Sequence, residues 1–363
     1  MPGPRSRVRR LVVLAVYLVA VFGFLELASR AALSHKGFFR LVAGVDQASS
    51  RLRWARRQER RPLVQPFDVY HPVRGWTLAP GLSGVPAFDG KRLSSTARGY
   101  RGQHEVPAEK PPGRVRVAVL GDSFTFGEGV GDEETWVHQL GVLRPALEPV
   151  NLGVHAYGHD QMLLTLREEG PWLRPDLVLV GFVHIDLERN RTGFFDYAKP
   201  RFDLDDGRLV LRNVPVPTPE ELRDREVWRS KFVDLLSMLR ARLRDRTGLE
   251  ARARDTLGRA LLEALRDEAR EVGARAMFVY LPILDEIGAP EPSPGERFFE
   301  ASCHDSGLTC LNLRPSFLER TRSGQRLRRR GHWGPSEHRA AAEDLVSLLD
   351  ERGVMPKPAT AAP

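Results

Sequence analysis

The stretch VRVAVLGDSFTFGEGVGDEETW (residues 115–136) decides how this chain is read. Its opening run, Val115–Leu120, alternates little between apolar and polar, as a strand covered on both faces does. Gly121 breaks the run, and Ser123 follows at an expected strand-to-helix turn. Gly127, Gly129 and Gly131 keep the next loop open. In open α/β sheets ligands sit beyond the carboxyl ends of the strands, which is where Ser123 falls. A phosphate-binding loop fails on its own motif, because no Gly-Lys-Ser/Thr follows. Two readings of Ser123 remain: a nucleophile, or the N-cap of the following helix.

Working outward, further strand candidates lie at 149–154, 177–183, 276–281 and 309–313. Between and after them lie helical patterns at 135–143, 161–168, 231–244, 253–272, 297–304 and 336–349. Strands alternating with helices predict an α/β fold, a three-layer α/β/α sandwich on a five-stranded parallel sheet. The domain is expected over 114–352, with an insertion at about 187–217 whose RFDLDDGRLVLRN reads as a hairpin around Asp-Gly. Residues 65–113, rich in Gly, Pro and aromatics, are expected to form a small irregular extension beside the sheet. The end, 353–363, reads as a disordered tail.

Composition over 363 residues, 42% apolar and 28% charged, is that of a globular protein, and the net charge is +8. The excess gathers in RSRVRR near the start, RLRWARRQERR at 51–61 and RLRRR at 326–330. No nucleic-acid-binding signature accompanies these clusters. The first two suit an anionic membrane surface or an acidic polysaccharide, and the third reads equally as solvated arginine. The apolar core 11–25, extended by Leu27, Ala28 and 31–33, follows Arg5, Arg7, Arg9 and Arg10. That order means export or anchoring. Arg30 interrupts the small-residue stretch ASRAA, so residues 1–34 read as an uncleaved signal anchor, followed by a basic juxtamembrane segment at 35–64. Four arginines before the core place the N-terminus inside, although Arg30, Lys36 and Arg40 reduce the asymmetry. A single-pass membrane protein with a periplasmic or extracellular domain is the expectation. Cys303 and Cys310, the only cysteines, are too few for zinc; they either pair or are two unrelated thiols.

With Ser123 at a strand end, GDSFTFGEGV, VNLGVHAYGHDQ, DLVLVGFVHIDLERN and GHWGPSEH stand in the order of the four sequence blocks of the SGNH/GDSL hydrolase superfamily. The chain resembles that family over roughly 114–349. The resemblance implies a flavodoxin-like sandwich and serine-based acyl transfer without a cofactor. Ser123 matches the nucleophile, and His332, ahead of the last helix, matches the general base in preference to His338. Such chemistry needs a base beside the hydroxyl, a carboxylate to orient the imidazole, and donors for the oxyanion.

Three positions depart from the family's pattern. The oxyanion glycine falls on Ala156, flanked by Gly153 and Gly158, so a backbone N–H remains available there beside that of Ser123. The oxyanion asparagine falls on Ile185, which has no side-chain donor, leaving His184 and Asn190 as possible substitutes. The carboxylate before the base is replaced by Arg329 or Arg330. Asp122 is expected to brace the turn, and Asp186 to bond a loop. His155, His159 and His184 with Asp160 and Asp186 follow no metal-ligand spacing and read as satisfied loop residues. Trp136 and Trp333 read as core, with a pocket lining as the alternative. The expected function is a membrane-anchored esterase or O-acyltransferase acting on acyl esters of a cell-envelope or exported polysaccharide, or of a lipid. The alternative is a weak or inactive glycan-binding protein that keeps the fold.

Overall fold

The structure is a computed structural model and describes residues 4–58, 65–325, 327, 331–351 and 353. The chain begins with helices α1 (Pro4–Ser34), α2 (Lys36–Val42) and α3 (Gln47–Gln58). Short strands β1 (Asp68–His71), β2 (Gly75–Leu78), β3 (Val85–Ala87) and β4 (Lys91–Leu93) follow. Next come β5 (Val115–Leu120), α4 (Ser123–Phe126), α5 (Trp136–Leu143), β6 (Leu147–Asn151), α6 (His159–Leu173), β7 (Leu177–Phe182) and α7 (Asp186–Arg189). Strands β8 (Arg201–Asp205) and β9 (Arg208–Arg212) precede helices α8 (Pro219–Trp228), α9 (Lys231–Arg246) and α10 (Leu249–Glu271). The chain closes with β10 (Arg275–Tyr280), α11 (Leu284–Ile287), α12 (Pro294–Asp305), β11 (Cys310–Asn312), α13 (Arg314–Arg322) and α14 (Pro335–Glu351).

These elements form two compact units, one of Met1–Arg61 with Pro219–Arg252, the other of Pro62–Thr218 with Ala253–Pro363. In the larger unit β11-β10-β7-β5-β6 make one sheet, with every pairing parallel. Counted in chain order within the sheet this is 2-1-3-4-5, the flavodoxin-like doubly wound order, with its switch point beside β5. The strand pleat divides the core. Ala118, Leu120, Val178, Val180, Phe278 and Tyr280 face α6, α10 and α12. Val117, Val119, Leu177, Leu179, Met277 and Val279 face α5, α13 and α14. The expected three-layer sandwich is therefore the observed one.

Strand β6 ends at Asn151, not at 154; Leu152 N and Val154 N still donate to Val119 O and Gly121 O, and the turn between them is pinned by the Asn151 side chain. Its carbonyl accepts from Gly153 N at 3.0 Å, and its amide donates to Thr125 O at 3.0 Å. The 187–217 segment carries the expected hairpin, with Asp206 and Gly207 at φ 46° and 76°, the left-handed pair that a two-residue turn needs. Cys303 and Cys310 pair, joining α12 to β11. The 65–113 extension contributes the hairpin β1–β2 and the ribbon β3–β4, and Arg101 bridges to Asn151 beside β6.

The smaller unit differs from expectation in one respect. Residues 219–252 group with the N-terminus, so 114–352 is not one continuous unit. The 35–64 segment folds over 36–58 into two helices, and its last six residues lie outside the described residues. Leu33, Phe39, Val42, Ala48, Leu52 and Met238 form the core of this unit. Arg51 of the basic cluster turns inward to Glu226 and, at 2.6 Å, Asp234; a side chain 5% exposed serves packing before any external anion. Val8–Ser34 is long and apolar enough to cross a membrane. The tail from 354 onward and Arg328–Arg330 are outside the described residues.

Candidate active site

Ser123 opens a single helical turn on the carboxyl edge of β5. Asp122 caps that turn, its carboxylate accepting from Phe124 N at 2.9 Å. Gly127, in the left-handed region at φ 86°, ends it with an N–H donated to Ser123 O. A Cβ on Gly121 would stand 2.1 Å from Thr125 Oγ1, so the Ser123 turn closes over the strand only with glycine there. Gly153 meets the same turn from β6's loop, where a Cβ would lie 2.5 Å from Phe126 N. Its N–H is spent on Asn151, so Gly153 supplies close packing and not an oxyanion donor.

His332 reaches this edge from the far end of the chain. Trp333 is fully buried, stacks on Phe317, and donates Nε1–H to Pro282 O at 3.0 Å. Gly334 N donates to Glu337 Oε2 at 2.7 Å as α14 begins. Between these anchors His332 places Nε2 2.8 Å from Ser123 Oγ. Glu128 Oε2 lies 3.8 Å from the same nitrogen. Among the described residues no carboxylate meets Nδ1. His338 is instead a buried packing residue whose Nδ1 accepts from Trp136 N at 3.2 Å. Burial, then the charges of Arg101 and His332, hold its pKa down at about 3.

Behind Ser123 lies a buried charge cluster. Arg189 Nη1 is 2.7 Å from Asp122 Oδ2, 2.6 Å from Asp186 Oδ1 and 3.1 Å from Tyr157 O. Burial and the neighbouring charge of Asp122 push the Asp186 carboxyl well above the usual range, against the pull of Arg189. Lys199, fully buried, bonds Asp160 and donates to Arg189 O at 3.2 Å. One Asp122 oxygen thus caps the turn while the other meets Arg189.

Ala156 sits in the left-handed region, φ 61°, and is buried. Such a backbone costs an L-residue about 1–2 kcal/mol, so the turn must be held by its surroundings. The extension holds it: Trp76 donates Nε1–H to His155 O at 3.2 Å, and the Tyr157 hydroxyl donates to Trp76 O. His155 is gripped at 2.8 Å by Asp68; burial opposes its charge, but Asp68 raises its pKa nonetheless. Among the described residues no protein acceptor takes the N–H of Ser123 or of Ala156.

Neither substitute for the missing asparagine reaches this position. The Asn190 amide donates toward His159 Nδ1 at 3.1 Å, and its carbonyl accepts from Asp160 N. His184 Nδ1 lies 3.0 Å from Glu286 Oε1. Both were suggested only by nearness in sequence; each is engaged by a different element. His159, stacked 4.9 Å from Phe182 and fully buried, is held down at about pKa 3 by burial and Arg189. Among the described residues no group of three or more His, Cys, Asp or Glu is arranged to hold a metal ion.

Four contributors were not singled out from the sequence: Arg189, Glu128, Trp76 and Arg101. Arg101 donates to the carbonyls of Phe126, Gly127 and Val130 at 2.5, 2.6 and 2.6 Å, tethering the loop that carries Glu128. Arg101 stands in a polar stretch that gives no sign of its burial; a buried guanidinium demands acceptors, and tertiary structure decides which it finds.

No family model and no curated protein matches the sequence. Solved structures of similar shape include a lipolytic protein of the G-D-S-L family from Desulfitobacterium hafniense, 12% identical, with TM-score 0.40 over 65% of this chain and 100% of that one. A psychrotrophic esterase from Pseudoalteromonas sp. is 13% identical, with TM-score 0.39 over 66% and 99%. A catalytic mutant of an acetylxylan esterase from Geobacillus stearothermophilus is 14% identical, with TM-score 0.39 over 68% and 97%. Likeness at this level carries no weight for activity, and the reading of this site rests on its own residues.

Proposed function

We propose that this chain is a membrane-anchored serine esterase or O-acyltransferase of the SGNH type. The observation that carries the reading is the 2.8 Å approach of His332 Nε2 to Ser123 Oγ at the carboxyl edge of the central strand. Ser123 Oγ attacks an acyl carbonyl while His332 Nε2 takes the hydroxyl proton. The imidazolium returns that proton to the departing alcohol, leaving acyl-Ser123. Water or a sugar hydroxyl then attacks the ester, giving its proton to the same nitrogen. The N–H groups of Ser123 and Ala156 receive the oxyanion.

With Ile185 in place of a side-chain donor, transition-state stabilisation is lower by about 3–4 kcal/mol. Glu128 Oε2, 3.8 Å from Nε2, lies on the serine side of the ring and does not orient it through Nδ1. Substrates are acyl esters of an envelope or exported polysaccharide, or of a lipid, with α1 as the anchor and the larger unit exported. A glycan-binding protein with little turnover is the second reading, favoured by Ile185 and by the lack, among the described residues, of a carboxylate on Nδ1.

The deciding experiment is aryl-acetate hydrolysis by the detergent-solubilised full chain beside Ser123→Ala and His332→Ala. Turnover lost in both variants, with a serine adduct trapped by a phosphonate in the parent alone, supports the acyl-enzyme. Equal adduct-free background in all three supports the binding protein.

A further inference from the structure

We propose that the α8–α9 corner, residues 227–236, is a second membrane contact that inserts into the headgroup–acyl boundary of the bilayer crossed by α1; this rests on the anchor reading above. After Arg9 and Arg10, α1 is exposed on every face only over Leu11–Ala20, ten residues. At 1.5 Å per residue these cover about 15 Å. A bilayer's hydrocarbon is about 30 Å thick, so roughly ten further residues are needed. The span then runs on to about Arg30.

Over that further length α1 is no longer bare. Phe22 meets Phe232 edge to face at 6.0 Å. The Glu26 carboxylate caps the start of α9, accepting from Ser230 Oγ at 2.7 Å and from the N–H groups of Lys231 and Phe232 at 3.0 Å. Arg30 Nε stands 2.7 Å from the same carboxylate, and Arg30 also donates to Arg229 O. A carboxylate inside an apolar helix is tolerated in a membrane when it is paired in this way. Glu26 and Arg30 therefore fix the turn at the end of the span, next to the boundary.

Its outward face suits that depth. Trp228 is 89% exposed, and Val227, Val233 and Leu236 are at least half exposed. In water this patch has no reason to be apolar; at the boundary layer, tryptophan and flanking arginines such as Arg225 and Arg229 are the residues that anchor a protein. Beyond it α9 climbs away along α1, since Met238 shares a core with Leu33 and Phe39. The occupant is lipid, with anionic headgroups matching the arginines.

The test uses the full chain. Cys303 and Cys310 are paired and are the only cysteines, so one introduced cysteine is the sole free thiol. Val19→Cys, Trp228→Cys and Asp245→Cys are each labelled with an environment-sensitive fluorophore and reconstituted in phosphatidylcholine–phosphatidylglycerol vesicles. Lipids spin-labelled at shallow or deep positions serve as quenchers. The expected result is deep quenching at 19, and shallow quenching at 228 at least about threefold stronger than at 245. Lipid quenching at 19 with a probe at 228 as water-exposed as that at 245 overturns the second contact and leaves the anchor standing. A probe at 19 that no lipid quenches overturns both.

Discussion

Arg189 Nη1 lies 2.7 Å from Asp122 Oδ2, and so the residue before the candidate nucleophile is tied to a guanidinium that also serves Asp186. Two buried carboxylates depend on one cation. Removing it by Arg189→Met leaves an uncompensated buried charge, a change of about 3–5 kcal/mol. Asp186→Asn is expected to cost about 1 kcal/mol or less, because burial and Asp122 already favour the protonated carboxyl. Denaturant unfolding of the two variants checks the contrast. Equal losses would mean that Asp186, not Asp122, is the partner that matters.

At Ala156 a glycine is expected to be nearly neutral. The left-handed backbone at φ 61° is easier for glycine, while the greater freedom of glycine in the unfolded chain offsets about 0.5–1 kcal/mol of that gain. The proposed donor is a backbone N–H, which Ala156→Gly keeps. Stability within about 1 kcal/mol of the parent and kcat within about threefold are expected. A kcat loss beyond tenfold in a folded Ala156→Gly would mean that the site needs the alanine methyl or the stiffness it gives the turn, and not the backbone N–H alone.

The sheet was legible because its strands are buried on both faces and read as apolar runs between turn signals. Val115–Leu120 matches residue for residue, and the ends of β7 and β10 lie within one residue of expectation. At β6 apolar residues and two bonds toward β5 continue past Asn151, but Gly153 N turns to the Asn151 side chain and the regular ladder stops there. Helix α13 went unread because its sequence, RPSFLERTR, buries one apolar side chain, Phe317, beside the charged Arg314 and so shows no apolar face. The pairing of Ser123 with His332 was legible through motif order. Arg189 and Trp76 were not, since each acts through a contact that only the folded chain creates. The grouping of 219–252 with the N-terminus was equally hidden; helical periodicity says that a face is buried but not against what.

Ile185 offers a test of register at the third block. An asparagine there would add a side-chain donor where the resemblance expects one. Ile185→Asn is expected to raise kcat on aryl acetate by about three- to tenfold, well short of the 10²–10³ of an optimised donor, because the surrounding loop has not been shaped for it. KM should change less than kcat, since the gain belongs to the transition state. A fall in KM with kcat constant would instead mark Ile185 as a substrate-pocket residue.

Stability should fall in acid through His159 and His338. Both are buried and held at about pKa 3, below their unfolded value near 6.5. Below about pH 6.5 the unfolded chain takes up a proton at each histidine and the folded chain does not. The native state therefore loses about 1.4 kcal/mol per pH unit for each, or about 2 kcal/mol per histidine between pH 6.5 and 5. His155 does not offset this, because its raised pKa matters only above its ordinary value, where stability falls as pH rises. In His338→Gln a neutral side chain replaces one titrating group. Its stability at pH 7 is expected to be lower than the parent's, and its slope between pH 6.5 and 5 shallower by about 1.4 kcal/mol per unit. Urea titrations at three pH values measure both quantities, and parallel slopes for parent and variant would rule out His338 as a source of the acid sensitivity.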